Sequence, residues 1–442
     1  METTQIAIPD ALRDFCHLSP CPVYAVGGLI RNALLGFEGG DLDVCGAYPI
    51  EDVCGNGVKF VPINKKLGTA EIPYKGFKFE YSRFRTERYD ESGAHSPVSV
   101  SFDADLADDA KRRDFTVNAI YYDIKNDKII DPLGGMDDIK TKTLRAHEAE
   151  KTFASDGLRL MRLCRFAAEL GFEIESATYK TAKKFMHKLF GIAAERKRDE
   201  LDKILAADLK YGIHGAHIRG VRLLYDLGLF KYILPSIEAL DIPQNPKYHK
   251  YSVLEHTFKA VEYAPPDVRL AALMHDTGKP VSEKRDGNMY RHAVDGEAIV
   301  KRELGQSGLK YPNSVVGETA KLVALHMSDK GRVTGSGKMR LFCAENFDIL
   351  EKLEKLMFAD GLATGYYVTP PRFLEYKRIL LDEGAPITVK DLRVDGNDAL
   401  AVGLAGSHIK NALYALWRDC ILDPKLNNEE WLKNRLTEMS RK

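Results

Sequence analysis

The chain has 442 residues, enough for roughly two to four packing units rather than one core. Hydrophobic residues make up 44% and charged residues 29%, and 64 Lys+Arg balance 64 Asp+Glu. That zero balance argues against a sequence-blind coat for nucleic acid, whose affinity rests on many phosphate contacts, but it leaves room for basic groups confined to a cleft.

No run approaches the ~18 uninterrupted apolar residues of a membrane span, and the start METTQIAIPDALRDF carries no export signal. Seven cysteines without CxxC spacing read as reduced thiols in a cytoplasmic protein. Residues 1 to about 145 mix short β-type runs (VYAVG, KFEYSRF, VNAIYYDI) with one early helical segment after Gly28, the pattern of a small α/β domain.

Within YAVGGLIRNALLGFEGGDLDV, a β-type run enters a Gly27-Gly28 turn, a helix begins near Leu29, and a second β-type run carries Asp41 and Asp43. Glycines at a strand-to-helix turn let backbone N–H groups approach phosphate, and the helix N-terminus adds partial positive charge. Asp41 and Asp43 alternate on a strand and so point to one face. Two carboxylates there are costly without a cation between them, and Mg²⁺ suits oxygen ligands completed by water and phosphate. Taken alone, GG is a common turn and DxD a common strand edge.

Glu80, in FKFEYSRFR, is the candidate third carboxylate of a two-metal site. Phe79 and Tyr81 beside it are expected to face the core; by itself Glu80 reads as an exposed strand residue. Arg112, Arg113 and Asp114 stand at the mouth of a strand anchored by Phe115 and Val117. Charge at that position suits a triphosphate or a ribose, although such runs are usually only solvated loops.

GGLIRNALLG with DLD, the glutamate strand, RRDFTVNA, DPLGGMDDIK, DGLRLMRLCRFAAELGF and ERKRDELDKIL, in that order, resemble the class II tRNA nucleotidyltransferase and bacterial poly(A) polymerase family. The likeness is close through ERKRDELDKIL and looser beyond. It implies an α+β chain with a small mixed-sheet, polymerase β-like head over 1–145 and an all-helical remainder: a neck for nucleotide selection and RNA binding over 146–245, an HD-type domain over 246–385 and a tail over 386–442.

The resemblance further implies metal binding by Asp41, Asp43 and Glu80, with Arg31, Arg112 and Arg113 neutralising phosphate beside Gly27, Gly28 and Asp114. One Mg²⁺ would activate the RNA 3′-hydroxyl and the other clamp the triphosphate. The implied activity adds CCA to tRNA from CTP and ATP. Poly(A) polymerase, a CC-only or A-only enzyme, and an HD phosphohydrolase with an RNA-binding head are the alternatives.

From about residue 150 helical periodicity takes over, and no further strand is expected. In SDGLRLMRLCRF, Asp156 and Arg159 are three apart, neighbours across one helical turn. An acceptor beside a fork of donors can imitate a base edge, matching cytosine and, shifted, adenine. Guanine and uracil would leave buried acceptors unpaired at about 1–3 kcal/mol each. The family's protein template for CTP and ATP maps onto this pair, whereas the plainer reading has Ser155 or Asp156 capping the helix. Arg162 and Arg165 extend a basic stripe, and Leu160, Leu163, Ala167 and Leu170 an apolar one. Glu195, Arg196 and Glu200 are expected to be structural.

Further on, His256, His275, Asp276, His292, His326 and Asp360 are spread over successive helical segments. Such ligands suit a transition metal or a mixed site. The His275-Asp276 pair followed by TGK resembles the HD phosphohydrolase superfamily, with His256 matching its first histidine and Asp360 its distal aspartate.

Three positions depart from the first family's pattern: Asn32 for aspartate, Gly46 for threonine and Ser155 for glutamate. RYDESGAHSPVSVSFD is long enough to be the mobile loop that the family links to the CTP-to-ATP switch. GLAGSH near the C-terminus reads as a turn opening a helix, able to hold RNA phosphate or simply to pack.

Overall fold

The computed structural model describes residues 6–55, 57–89, 97–328, 336–366 and 368–441. It divides into two compact units, one running through Glu238 and taking in Gly308–Lys310, the other formed by the rest of the chain from Ala239.

Short runs, most of them carrying Val, Ile, Tyr or Phe, supply the strands of the first unit. These are β1 (Tyr24–Val26), β2 (Asp43–Gly46), β3 (Val61–Asn64), β4 (Thr69–Tyr74), β5 (Phe77–Arg83), β6 (Thr86–Arg88), β7 (Ser99–Ser101), β8 (Tyr121–Asp123), β9 (Lys128–Ile130), β10 (Thr143–Leu144) and β11 (Glu173–Ile174). Seven of them form a mixed sheet in the order β3-β4-β5-β2-β1-β8-β9. All its pairings are antiparallel except β2 with β5, which run parallel and set Asp43 opposite Glu80. Alternation along β5 buries Phe79 and Tyr81 and leaves Glu80 exposed, as the pattern predicts.

Two expectations need correcting. Residues beyond 150 are not wholly helical: β11 pairs in parallel with β10, tying the segment after Gly171 back to the end of the head. A two-residue strand is too short to leave a periodic signal. The segment 88–103, read as a loop, has flanks in an antiparallel ribbon of β6 and β7, with Val98 N–H donating to the Arg88 carbonyl; its residues 90–96 lie outside the described residues.

The helix Leu158–Leu170 forms the spine of the rest of this unit. Leu160, Leu163, Ala167 and Leu170 are buried along it, and it ends on Gly171 in the left-handed conformation. Beside it runs Ala194–Leu205, whose Leu201, Ile204 and Leu205 are buried.

The second unit is helical among its described residues. Ser252 caps the helix Val253–Tyr263 by accepting from Glu255 N–H. The helices Arg269–Met274, His292–Glu303, Asn313–Leu325 and Leu350–Ala363 follow. In the tail, Gly406 with φ +55° opens the helix Ser407–Leu422, the turn expected from GLAGSH.

Gly278 fixes how closely two segments approach. A Cβ at this position would lie 2.0 Å from the His292 carbonyl oxygen and 2.6 Å from Gly296 N, contacts that backbone cannot yield cheaply. Gly278→Ala is therefore expected to lower the thermal denaturation midpoint, with an overpacking cost of about 1–3 kcal/mol or more. Gly317→Ala is the control: its Cβ would meet nothing within 4 Å on the helix Asn313–Leu325. It should hold or raise the midpoint, since alanine favours a helix interior over glycine by about 0.5–1 kcal/mol. Equal midpoints for the two variants would remove the packing argument.

Candidate functional site

A cleft of about 800 Å³ in the first unit brings together Gly27, Gly28, Arg31, Asp41, Asp43, Glu80, Arg113, Asp114, Arg162 and Arg165. Gly27, at φ +78°, precedes the helix Gly28–Leu35, and a Cβ there would stand 3.3 Å from Asp43 Oδ2. The turn is thus pressed against the carboxylate and admits only glycine without strain. Asp41 lies just ahead of β2 rather than within it, because strand pairing begins at Asp43. Burial, then the nearby charges of Glu80 and Asp41, push the Asp43 carboxyl up to about 6 against the pull of Arg113. Carboxylates crowded in this way are relieved by a cation, and an all-oxygen donor set fits Mg²⁺.

The arginines of the cleft are held by other protein groups. Asp109, fully buried, accepts from Arg112 Nε at 2.8 Å, from Arg113 Nε at 3.2 Å and from the Tyr121 hydroxyl at 2.8 Å. Burial pushes its carboxyl up, but the two guanidiniums and the tyrosine outweigh this and hold it below the usual range. Asp114 accepts from Arg162 Nε at 2.8 Å and from Asn118 Nδ2 at 3.0 Å. There too burial is outweighed, by the Arg162 charge and the Asn118 hydrogen bond, so Asp114 stays far below the ordinary carboxylate range.

Arg31 is almost wholly buried. Its guanidinium donates to Asn118 Oδ1 (2.6 Å), Asn32 Oδ1 (2.8 Å) and the Tyr211 hydroxyl (3.0 Å), and it lies against the Phe166 ring. These bonds bind it to the residues around the cleft and leave less of it to face phosphate than its position after the glycines implies. Arg165 is likewise buried, with Glu200 and Glu169 as acceptors, so the basic stripe is internally paired at this point.

Asp156 and Arg159 differ from the expected helical pair. Asp156 sits at an extended junction (φ −148°, ψ 107°) between two helices, and the second helix begins at Leu158. The break lies at Asp156 itself; Gly157 is already in the right-handed helical region, and a Cβ there would lie 2.4 Å from the Lys188 carbonyl oxygen. Asp156 Oδ1 accepts from Leu158 N–H at 3.0 Å, which is the capping contact, and Oδ2 from Arg196 Nη2 at 3.1 Å. Arg159 donates to the Arg112 carbonyl at 2.7 Å and to Ser155 Oγ at 3.1 Å. Arg159 and Arg112 line a neighbouring pocket of about 410 Å³ with Thr86, Glu87 and Tyr89.

The departures have local partners. Asn32 accepts from Arg31 and from the Tyr211 hydroxyl and donates to the Gly39 carbonyl. Gly46 lies where a Cβ would meet the Pro22 carbonyl oxygen at 2.8 Å, so threonine could not fit without a backbone shift. Ser155 receives Arg159.

Sequence reasoning missed Asp109 and Tyr211, and gave Arg196 only a structural part. Asp109 was within reach, standing three and four residues before Arg112 and Arg113 on a helical segment. Tyr211, 180 positions from Arg31, left no local signal.

In the second unit all six HD-type positions converge and are buried. Two overlapping groups form, His256 with His275 and Asp276, and Asp276 with His292 and His326. Asp360 Oδ1 lies 2.9 Å from His256 Nε2. Lys279 Nζ sits 2.6 Å from Asp276 Oδ2 and 2.9 Å from Gln244 Oε1, and neither residue was singled out from sequence.

Residues 23–145 match the family model described as poly A polymerase head domain, 171–240 that of a probable RNA and SrmB-binding site of polymerase A, and 248–360 the HD domain. The CCA-adding enzyme of Geobacillus stearothermophilus is 31% identical over 421 residues, 93% of each chain. A multifunctional CCA protein of Acinetobacter baumannii (strain SDF) is 34% identical over 297 residues, 63% of this chain and 67% of that one. The crystal structure of the Bacillus stearothermophilus CCA-adding enzyme in complex with CTP superposes with a TM-score of 0.67 at 26% identity, covering 100% of this chain and 98% of that one. With an acidic cleft behind a glycine turn and a likeness that runs nearly end to end, the chain belongs to the CCA-adding enzyme family of nucleotidyltransferases.

Proposed function

We propose that the protein completes the 3′ end of tRNA, transferring CMP twice and AMP once from CTP and ATP with release of pyrophosphate. The observation that carries this is the parallel register of β2 and β5, which sets Asp43 opposite Glu80 in a cleft shared with Asp41 and the Gly27-Gly28 turn. Relatives support the substrates: solved CCA-adding enzymes carry CTP, ATP or tRNA.

Asp41, Asp43 and Glu80 would hold Mg²⁺, which supplies activation of the 3′-hydroxyl and charge neutralisation on the triphosphate. Gly27 and Gly28 offer backbone N–H groups, while Arg113 and Arg162, fixed by Asp109 and Asp114, present a positive wall already oriented before substrate arrives. Arg165 lines the same cleft, and Arg112, in the neighbouring pocket with Arg159, would add its charge from there. Asp156 and Arg159 select the base, with Arg196 orienting the Asp156 carboxylate. Residues 1–145 serve as head, 146–245 as neck, 246–385 as HD domain and 386–442 as tail. In the HD domain His256, His275, Asp276, His292, His326 and Asp360 would hold a transition metal, with phosphate-ester hydrolysis as its chemistry. A cytoplasmic location rests on seven buried cysteines and on tRNA as substrate.

A tRNA transcript lacking its last three nucleotides tests the reading. With Mg²⁺, CTP alone should give two additions, and ATP a third. Asp41→Ala should abolish both. Arrest after CC in the presence of ATP, addition of A only to a CC end, or a long ladder with ATP would move the assignment to a partial enzyme or a poly(A) polymerase.

Arg196→Met tests the template. Losing a charged hydrogen bond worth about 1.5–3 kcal/mol should lower kcat/KM for CTP on the order of 10- to 100-fold, with relatively more GTP and UTP misincorporation. Arg196→Lys should recover part of the loss. An unchanged nucleotide preference in both variants would leave Arg196 a purely structural residue.

A further inference from the structure

Asn32 stands on the helix that follows the glycine turn, and its side-chain amide is engaged on both sides. Oδ1 accepts from Arg31 Nε at 3.2 Å, from Arg31 Nη2 at 2.8 Å and from the Tyr211 hydroxyl at 3.0 Å. Nδ2 donates to the Gly39 carbonyl at 3.0 Å. Aspartate, which the family pattern carries here, would turn a second acceptor toward that carbonyl, and neither oxygen could donate.

The consequence falls on Arg31. A guanidinium has five N–H groups, and four of these are taken by Asn32, Asn118 and Tyr211, all neutral acceptors. One N–H on Nη1 is left over. The carboxylates whose charge reaches Arg31, those of Asp114 and Glu169, are ion-paired with Arg162 and Arg165 instead. Arg31 is only 2% exposed, so burial opposes its charge, yet a guanidinium keeps its proton inside a protein.

A buried cation without an internal counter-ion is costly, and the cost falls when an anion settles beside it. Arg31 Nη2 stands 3.8 Å from the point that a Cβ on Gly28 would occupy, against the glycine turn. Gly27, Gly28, Arg31 and Asn32 line the same cleft of about 800 Å³. The uncancelled charge and the backbone N–H groups of the turn thus face one place.

Resting on the nucleotidyl-transfer reading, we infer that Asn32 sets the affinity of the cleft for the nucleotide triphosphate by orienting Arg31 without neutralising it. The fixed charge acts on the phosphates of CTP and ATP alike and takes no part in choosing the base. An aspartate at this position would cancel that charge inside the protein.

Calorimetric titration of the full chain with CTP and, separately, ATP tests this, first in chelator and then in Mg²⁺. Asn32→Asp should weaken both nucleotides on the order of 10- to 100-fold, the scale expected of unit charges roughly 6–12 Å apart near a protein surface. The same factor should appear without metal. Asn32→Ala, which removes hydrogen bonds but leaves the charge uncancelled, should stay within a few-fold of the unsubstituted chain. Arg31→Gln, which removes the charge itself, should match Asn32→Asp, with a thermal melt to check that each variant is folded. Equal weakening by Asn32→Ala and Asn32→Asp would overturn the electrostatic role and leave Asn32 a frame for the turn. An Asn32→Asp effect confined to Mg²⁺ would overturn it too, because the effect would then trace to Asp41 through the Gly39 loop. Binding of neither nucleotide by the unsubstituted chain in either condition would overturn the nucleotidyl-transfer reading along with it.

Discussion

Carboxylates placed side by side repel one another, and partial burial sharpens the repulsion because less water screens it. The head of this protein is arranged around that repulsion. Parallel pairing of β2 with β5 forces Asp43 and Glu80 into register, and Asp41 stands two residues ahead. Burial and these neighbours leave Asp43 reluctant to ionise, with a carboxyl pushed up to about 6. A site that keeps such a group at its centre is built for a partner of opposite charge. The glycine turn pressed against Asp43 adds backbone N–H groups where an anion accompanying that cation would lie.

Arginines around the cleft are likewise paired with buried carboxylates. Arg112 and Arg113 share Asp109, Arg162 is paired with Asp114, and Arg165 with Glu169 and Glu200. Each pair spends its attraction largely on offsetting desolvation, so its main consequence is orientation. Guanidiniums locked by buried carboxylates cannot swing to meet a phosphate, and their field is fixed before a ligand enters. Arg31 lies at the extreme of this arrangement. Hydrogen-bonded to Asn118, Asn32 and Tyr211 and stacked on Phe166, it joins β-sheet head to helical neck within one compact unit.

What could be read from the sequence follows from the range of the interactions. Period-two alternation in FKFEYSR placed Phe79, Glu80 and Tyr81 on their correct faces, and the spacing of Leu160, Leu163 and Ala167 gave the buried stripe of the neck helix, because both signals lie within a few residues. The six HD positions were recognisable because the adjacent His275-Asp276 pair resembles the HD superfamily and the other metal-type residues recur around it in order. The pairing of Asp156 with Arg196 across 40 positions, and of Arg31 with Tyr211 across 180, depends on tertiary packing that no local pattern encodes. Asp156 misled because the helical spacing to Arg159 is interrupted by its own extended backbone, next to Gly157, whose close approach to the Lys188 carbonyl is a long-range contact.

Two cation-demanding clusters in one chain raise the question of how each would find its metal. The donor sets differ enough to sort them. The head offers carboxylate oxygens, with remaining positions open to water and triphosphate, and such ligands do not discriminate strongly in favour of softer ions. The HD cluster offers four imidazoles around two aspartates, a set whose affinity rises steeply along the first transition series and which Mg²⁺, reluctant to lose its water, fills poorly. On the proposed reading, abundant Mg²⁺ would load the head while scarce transition ions would partition to the histidines. Three of the four rings, those of His275, His292 and His326, are held by carbonyls three residues earlier, which preforms much of the second cluster within its own unit. The two donor sets thus fall in different compact units, the carboxylates of the head in one and the histidines in the other.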